Sequence, residues 1–367
     1  MEYKAIGLMS GSSLDGLDIA YVHLQETGGK WSYEIVNSYC DPYNEEWMEK
    51  LTNAITLPAL DYQLLHTAYG HYTGEAVNRF IEANNLHHKV HLVASHGHTT
   101  FHIPQQKMTG QLGDGAAIAA TTGLPVVTDL RAMDIAFGGQ GAPIVPIGEK
   151  LLLHEYDMFL NLGGIANLSV NTPGRYIAFD VCPANRVLNM LVQQLGKAFD
   201  DGGEIAASGS VNNDLLNDLN ALAYYKTPFP KSLANDFGVE TVYPLIKKYN
   251  LSVPDALRTY VEHIAQQIKK AAGFAMPEAQ SVDNHKKLLV TGGGAFNSFM
   301  VERIGSYLKE AGVETVVPNK ELVNYKEALV MALIGVLRWR EEYNVFSSVT
   351  GATRNSINGA LWLGGEA

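Results

Sequence analysis

The sequence predicts an α/β protein built from two similar halves. Three observations carry that expectation. The chain has 367 residues, room for two domains of roughly 150 residues each. A run of strand, Gly-rich turn, strand, second turn and strand begins at Lys4 and recurs at Asp157. An apolar strand ending in small residues also occurs twice, at Lys89–Ala94 and at Lys286–Val290. Self-similarity of this kind points to duplication of one supersecondary unit.

Lys4–Ser10 reads as the first strand, and Gly11-Ser12-Ser13-Leu14-Asp15-Gly16 as the turn after it. Gly, Ser and Asp together favour tight turns, because Gly tolerates positive φ and the polar side chains bond nearby backbone. Leu17–Leu24 is the second strand, Glu26-Thr27-Gly28-Gly29-Lys30 the second turn and Trp31–Tyr39 the third strand. Three strands joined this tightly form an antiparallel meander. The second copy has strands at Asp157–Leu162, Leu168–Asn171 and Tyr176–Val181. Its turns are Gly163-Gly164-Ile165-Ala166-Asn167 and Thr172-Pro173-Gly174-Arg175. The strand Lys89–Ala94 is expected to end at Ser95-His96-Gly97-His98, and Lys286–Val290 at Thr291-Gly292-Gly293-Gly294-Ala295. Helical spacing of Phe299, Met300, Ile304, Tyr307 and Leu308 predicts a helix over Asn297–Lys309. Ser252–Ala272, with Leu257, Tyr260, Val261, Ile264 and Ile268 on one face, and Tyr325–Glu342 are further helices. Periodicity breaks near Leu130–Pro146, at Gly138, Gly139, Gly141, Pro143 and Pro146. A first domain over 1–130, to which 348–367 is able to return, and a second over 131–347 are therefore expected. No charged or Ser-rich linker separates them, so an interdomain cleft is the natural ligand site.

Composition narrows the function classes. Hydrophobic residues are 46% and charged residues 18% of the chain, which supplies a large core and argues against disorder. The formal net charge is −11, which repels a phosphate backbone, so no nucleic-acid partner is expected. Cys40 and Cys182 are the only cysteines, too few for a disulfide scaffold or a multi-cysteine zinc site. Met1-Glu2-Tyr3-Lys4 lacks the basic end of a secretory leader, and Ala328–Leu337 is about half a membrane span. A cytoplasmic protein with no membrane partner is the expectation. The 35 glycines form no low-complexity tract and cluster at a few turns.

Three of those turns have the composition of phosphate loops: Gly11-Ser12-Ser13, Gly163-Gly164 and Gly292-Gly293-Gly294. Without a Cβ, a Gly backbone N–H approaches a phosphate oxygen closely. None of the three fits G-x-x-x-x-G-K-[ST] or G-x-G-x-x-G, so neither a P-loop nor a dinucleotide fingerprint is present. Two hairpin turns, one per half, could instead close on a triphosphate, while the third opens a helix whose N-terminus attracts anions. Tight turns also need Gly for purely structural reasons.

The motifs MSGSSLDGLDIAY, SHGHTTFH, QLGDGAAIA, VVTDLR, GGQGAPIVP, NLGGIANL, FDVCPAN, PKSL, TGGGAFN, KEAL and SVTGA follow one another in this order. From Met9 to Ala352 the chain resembles the anhydro-N-acetylmuramic acid kinase family, within the sugar kinase, Hsp70 and actin superfamily. The resemblance implies a duplicated two-domain actin-like ATPase fold, with ribonuclease H-like domains and ATP in the cleft. It implies an ATP-dependent kinase of cell-wall sugar recycling. That reaction opens the 1,6-anhydro ring while phosphorylating the sugar, giving N-acetylmuramic acid 6-phosphate. ATP, Mg²⁺ and an amino sugar are the implied small molecules, and related enzymes suggest a homodimer.

Such a reaction needs a base to take a proton from the water that attacks the anomeric carbon. The resemblance assigns this to Asp180, which follows the apolar strand Tyr176–Phe179. Burial raises a carboxylate's pKa toward neutrality, which suits a general base. On the residues alone, Asp180 is equally well placed to cap a helix starting at Pro183. Gly11, Ser12 and Ser13 resemble the first phosphate loop, where the family usually has Thr at the position of Ser12. Asp15 either holds Mg²⁺ through water or only stabilises its turn. Gly163, Gly164 and Asn167 resemble the second phosphate loop, and Gly292, Gly293, Gly294 and Asn297 the segment that meets the nucleotide. On the sugar side stand His96, Asp114, Arg131, Asn185 and Glu327. Arg131 suits the lactyl carboxylate, because a guanidinium binds it with two hydrogen bonds. Glu327 is also what a first helical turn favours.

Two departures from the family pattern stand out. The usual T-G-P-G-N after the catalytic Asp is Val181-Cys182-Pro183-Ala184-Asn185 here, which adds side chains where backbone could approach substrate. His98 stands where the family usually has Gln. With His96 and His102 it forms an imidazole triplet, and residues i and i+2 of a strand point the same way. A metal-dependent hydrolase using His96, His98 and His102 is therefore a rival reading. Another sugar kinase, or a nucleotide sensor without turnover, is a third.

Overall fold

The computed structural model describes residues 1–11, 13–172, 175–228, 231–234, 236–275 and 286–365. Ser12, the Pro173-Gly174 turn and Pro230 of PKSL lie outside the described residues. Contacts divide the chain into two units, Met1–His154 with Tyr325–Ala367, and Glu155–Asn324.

Each unit contains the same five-stranded arrangement. In the first, β1 (Glu2–Ser10), β2 (Gly16–Thr27) and β3 (Lys30–Pro42) form the antiparallel meander. β4 (Leu92–Ile103) runs parallel to β1. β5 (Met108–Leu112) folds back on β4, and β6 (Val126–Thr128) lies parallel to β4. In the second, β7 (Met158–Leu162), β8 (Ile165–Thr172) and β9 (Arg175–Pro183) repeat the meander. β10 (Lys286–Thr291) is parallel to β7, and β11 (Val313–Val316) to β10. With β12 (Ala360–Trp362) antiparallel to β6, the orders are β12-β6-β4-β1-β2-β3 and β11-β10-β7-β8-β9. The last five strands of the first order match the second in sequence of connection and in direction. The duplication seen in the turn pattern is thus a duplication of topology.

β1 has Ala5, Ile6 and Leu8 fully enclosed, as a central strand covered on both faces must. On one side Ile6 and Leu8 share a core with Tyr69, Val77 and Phe80 of the helix Ala59–Ala83. On the other, the helix Lys320–Trp339 comes so near that a Cβ on Gly7 would overlap the Ala328 carbonyl oxygen. Gly335 of that helix abuts Ala94 Cβ in the same way. In the second unit the helix Val253–Ala275 buries Leu257, Tyr260, Val261, Ile264 and Ile268 completely, the five residues its periodicity singled out. Among the described residues no helix is long and apolar enough to cross a membrane.

Three expectations are corrected. Residues 131–154 and 325–347, assigned to the second domain, lie in the first unit. Arg131 bonds His96, Thr350 bonds Asp134, and Lys326 pairs with the buried Glu149, all within that unit. Next, β4 does not stop at Ala94 but runs through Ser95–Ile103, because β5 supplies a partner strand for this polar stretch. Finally, the helix expected at Tyr325–Glu342 spans Lys320–Trp339 and is broken at Tyr325, whose φ of −115° and ψ of 16° are not helical.

Gly7→Ala is expected to lower stability by about 1–3 kcal/mol, because the added methyl meets backbone that cannot turn aside. Urea denaturation checks this; an unchanged midpoint would contradict the close approach.

Candidate functional site

In the first unit the turn after β1 leaves open backbone. A Cβ on Gly11 would meet nothing nearer than Ser13 Oγ at 3.5 Å. Ser13 Oγ donates to Asp15 Oδ1 at 2.6 Å, and Leu14 holds a φ of 58°. Behind the turn, the buried Ser10 Oγ is 3.0 Å from His98 Nδ1 and accepts from Tyr43 Oη at 2.8 Å. Tyr43 Oη is in turn 2.6 Å from Tyr69 Oη. His98 therefore braces the strand end that carries the turn.

His96 is buried with both ring nitrogens engaged. Nδ1 lies 2.9 Å from the Gly97 carbonyl oxygen and donates to it, and Nε2 accepts from Arg131 Nε at 2.8 Å. Burial first, then the Arg131 charge, push its pKa down to about 3. Arg131 Nη1 donates to the Gly141 carbonyl at 2.5 Å. Burial lowers the Arg131 pKa to about 10, against the Glu327 carboxylate, which raises it. Glu327 itself is exposed, two residues past the helix break. Asp114 caps the helix Gly115–Thr122, accepting from Ala116 N at 2.9 Å and from Thr67 Oγ1 at 3.4 Å. The Gly141 loop has an anchor that sequence reading missed. Asp134, fully buried, accepts from Gly141 N at 2.8 Å and from Thr350 Oγ1 at 2.7 Å.

Asp18 was also missed. It lies on β2 opposite Met9 and Cys40. Burial raises its pKa to about 6; the Cys40 thiol pulls the other way, and the Asp15 and Glu327 carboxylates add to the rise. The available signal was a carboxylate near the start of an otherwise apolar strand.

In the second unit the predicted residues converge on the β7–β8 turn. Asn185 Nδ2 donates to the Leu162 carbonyl at 2.9 Å, and Asn185 N to the Gly163 carbonyl at 3.1 Å. Gly164 accepts from Ala184 N at 2.8 Å. Gly292, with φ of 80°, packs on Leu162, where a Cβ would lie 3.0 Å from the carbonyl. Gly294 fits against the same residue. Gly293–Phe296 forms a short 3₁₀ turn before the helix Ser298–Lys309, whose N-cap is Asn297, accepting from Met300 N at 2.9 Å. Asn167 stands across the ladder from Asp180.

Asp180 does not cap the helix after Pro183. That helix, Asn185–Val192, has Ala184 at its N-cap and no side-chain cap bond. Instead Asp180 Oδ2 accepts from Leu233 N at 2.8 Å, and among the described residues Oδ1 has no hydrogen bond. Burial raises the carboxyl's pKa, and the Leu233 N–H lowers it in part. Cys182 and Ala184, where the resemblance implies glycines, are both fully enclosed in the unit's apolar core. Their added atoms fill the interior rather than the open side of the turn.

The imidazole triplet does not form a metal centre. Gly97 has φ of 72° and the β1–β4 register shifts there, so His96 and His98 do not alternate as in a regular strand. His96 bonds Arg131, His98 bonds Ser10, and His102 Nδ1 is 3.2 Å from Thr109 Oγ1. Among the described residues no group of three or more His, Cys, Asp or Glu side chains is arranged to hold a metal ion. A Mg²⁺ ion fits these residues in another way. It takes one or two carboxylates and completes its shell with water and substrate phosphates. Asp15, exposed beside the open Gly11 turn, supplies that kind of ligand.

The family model for anhydro-N-acetylmuramic acid kinase matches residues 3–364. The chain is similar to the anhydro-N-acetylmuramic acid kinase of Francisella tularensis subsp. novicida (strain U112), 33% identical over 98% of this chain and 99% of that protein. It is similar to that of Vibrio parahaemolyticus serotype O3:K6, at 31% over 97% of both chains. It is also similar to that of Pasteurella multocida, at 32% over 97% of this chain and 96% of the relative.

The bonding of His96 has a measurable consequence. Its folded pKa lies near 3 and its unfolded value near 6.5. Above pH 6.5 the ring is neutral in both states; as pH falls below that, only the unfolded chain binds the proton, and stability is lost. The loss attributable to His96 reaches about 2 kcal/mol by pH 5. His96→Gln should therefore lose less stability than the wild type between pH 7.5 and 5. Equal losses in urea melts would contradict a neutral, doubly bonded imidazole.

Proposed function

The chain belongs to the anhydro-N-acetylmuramic acid kinase family, and from that premise we propose how its residues carry out the reaction. The enzyme is an ATP-dependent sugar kinase. It converts 1,6-anhydro-N-acetylmuramic acid, ATP and water to N-acetylmuramic acid 6-phosphate and ADP. Asp180 is the general base. Its carboxylate takes a proton from the water that attacks the anomeric carbon, the 1,6-anhydro bond breaks, and the freed 6-oxygen attacks the γ-phosphorus. The observation that carries this role is the half-buried carboxyl whose Oδ2 is held by Leu233 N–H while Oδ1, among the described residues, has no hydrogen bond. A base with a raised pKa is a stronger proton acceptor while still ionised near neutral pH.

Gly11, Ser12, Ser13 and Asp15 form the first phosphate loop, and Gly163, Gly164 and Asn167 the second. Gly292, Gly293, Gly294 and Asn297 meet the nucleotide. Backbone N–H groups at these turns supply donors to phosphate oxygens without a basic patch, which suits a chain of net charge −11. Asp15 holds Mg²⁺ through water; bound there, the ion neutralises charge on the phosphates. Arg131 binds the lactyl carboxylate. His96, fixed as the Nδ1–H tautomer, orients the guanidinium, and Glu327, Asp114 and Asn185 complete the sugar contacts. We further propose a cytoplasmic enzyme, acting as a homodimer, with no nucleic-acid partner.

Two variants test these roles. Asp180→Asn should reduce turnover by roughly three orders of magnitude or more while ATP binding stays near normal. Arg131→Ala should raise the sugar KM at least tenfold more than the ATP KM, roughly the value of a lost charge-assisted bidentate pair. In the wild type, activity should fall on the acid side at a pH above the ordinary carboxylate range, because the base works only when ionised. Near-normal turnover in Asp180→Asn, or equal KM effects in Arg131→Ala, would remove the residue from its role.

A further inference from the structure

β9 is the edge strand of its sheet, so its outer N–H and C=O groups have no strand partner. Beside Asp180 that edge is met by Tyr224, Lys231 and Leu233. Asp180 N donates to the Lys231 carbonyl at 3.0 Å, the Asp180 carbonyl accepts from Tyr224 Oη at 2.8 Å, and Asp180 Oδ2 accepts from Leu233 N. Three polar groups of one residue are thus fixed by Tyr224, Lys231 and Leu233. Lys231 is also tied back to Tyr224 and Thr227. Lys231 Nζ donates to the Tyr224 carbonyl at 2.8 Å and the Thr227 carbonyl at 3.3 Å, and lies 4.2 Å from the Tyr224 ring centre. The ladder to β8 slips at this place, Asn167 facing Asp180 but Ala166 facing Cys182. The sheet alone therefore holds Asp180 less firmly than its neighbours.

We propose that Tyr224 and Lys231 are positioning residues for the reaction, forming with Thr227 and Leu233 a clasp that aims the Asp180 carboxylate. This rests on Asp180 being the general base. Neither residue is assigned a contact with sugar or nucleotide. Loosening the clasp misdirects the base and removes the Leu233 N–H from its carboxylate. Misplacing a catalytic group by an ångström costs rate rather than binding. The groups that bear on the site are few. Tyr224 and Lys231 face Asp180 from the clasp, Cys182 lies two residues along its strand, and Lys270, on the helix Val253–Ala275, bears on Lys231. Tyr225 and Tyr260 act on Cys182 with hydroxyls that burial keeps protonated.

The test is steady-state kinetics against pH with ATP and anhydro-N-acetylmuramic acid, on the whole chain. Tyr224→Phe and Lys231→Met should each lower kcat about tenfold or more, with both KM values within roughly twofold of the wild type. Their acid limbs should move to higher pH, because the carboxylate has lost the N–H that favours its charged form. Lys231→Arg should restore most of kcat. A purely structural role would lower the melting temperature without moving the limb. Unchanged kcat and limb in both variants would overturn the proposal, as would a raised KM at constant kcat. Should Lys231→Met fail to fold, Tyr224→Phe decides, since it deletes one oxygen and keeps the ring. Asp180→Asn, assayed alongside, separates the two claims: near-normal activity there defeats the base assignment itself, whatever the clasp variants do.

Discussion

The chemistry proposed for this chain depends on one backbone N–H, that of Leu233, which among the described residues draws the pKa of Asp180 back down against burial. Burial raises the carboxyl's pKa and the Leu233 N–H opposes that rise. The half-buried position on an edge strand lies between full burial and full solvation. The neighbouring Cys182 is enclosed in the core, and the helix that follows begins at Ala184 without a side-chain cap, leaving the carboxylate unused by it.

The first unit solves the corresponding problem for a cation. Arg131 is kept charged although buried enough to lower its pKa, and its two bonds, to His96 and to Gly141, are each braced from behind. Gly97 accepts the His96 N–H, and Asp134 holds the Gly141 loop. A guanidinium so held loses little freedom on meeting a carboxylate, which is the physical value of such support. The same unit carries an excess of negative charge near Asp18, Asp15 and Glu327.

Much of the architecture was legible in the sequence because it is local. The two meanders announce themselves through alternating apolar strands and Gly turns, and the helix Val253–Ala275 through its 3.6-residue period. What was illegible depends on distant partners. SHGHTTFH reads as a polar loop until β5 pairs with it. Asp134 looks like an ordinary helix residue until Thr350 and Asn358 bond it from the end of the chain. The perturbation of Asp18 arises first from burial, which the neighbouring residues do not reveal, with Asp15 close in sequence and Glu327 far from it adding to the rise. The positions of Asp180 and Arg131 were readable from motifs, yet their partners Leu233, Gly141 and His96 come from other segments. Sequence singled out these two side chains; only the fold reveals what bonds them.

The proposed reaction joins water attack, ring opening and phosphoryl transfer in one coupled event. The most direct measurement is the mass of the product formed from anhydro-N-acetylmuramic acid, ATP and Mg²⁺ in ¹⁸O-labelled water. The account predicts a sugar that has gained one phosphate and one molecule of water, with a single ¹⁸O at the anomeric carbon. A phosphorylated sugar that keeps its anhydro bridge, or one whose phosphate rather than its anomeric carbon carries the label, would contradict it.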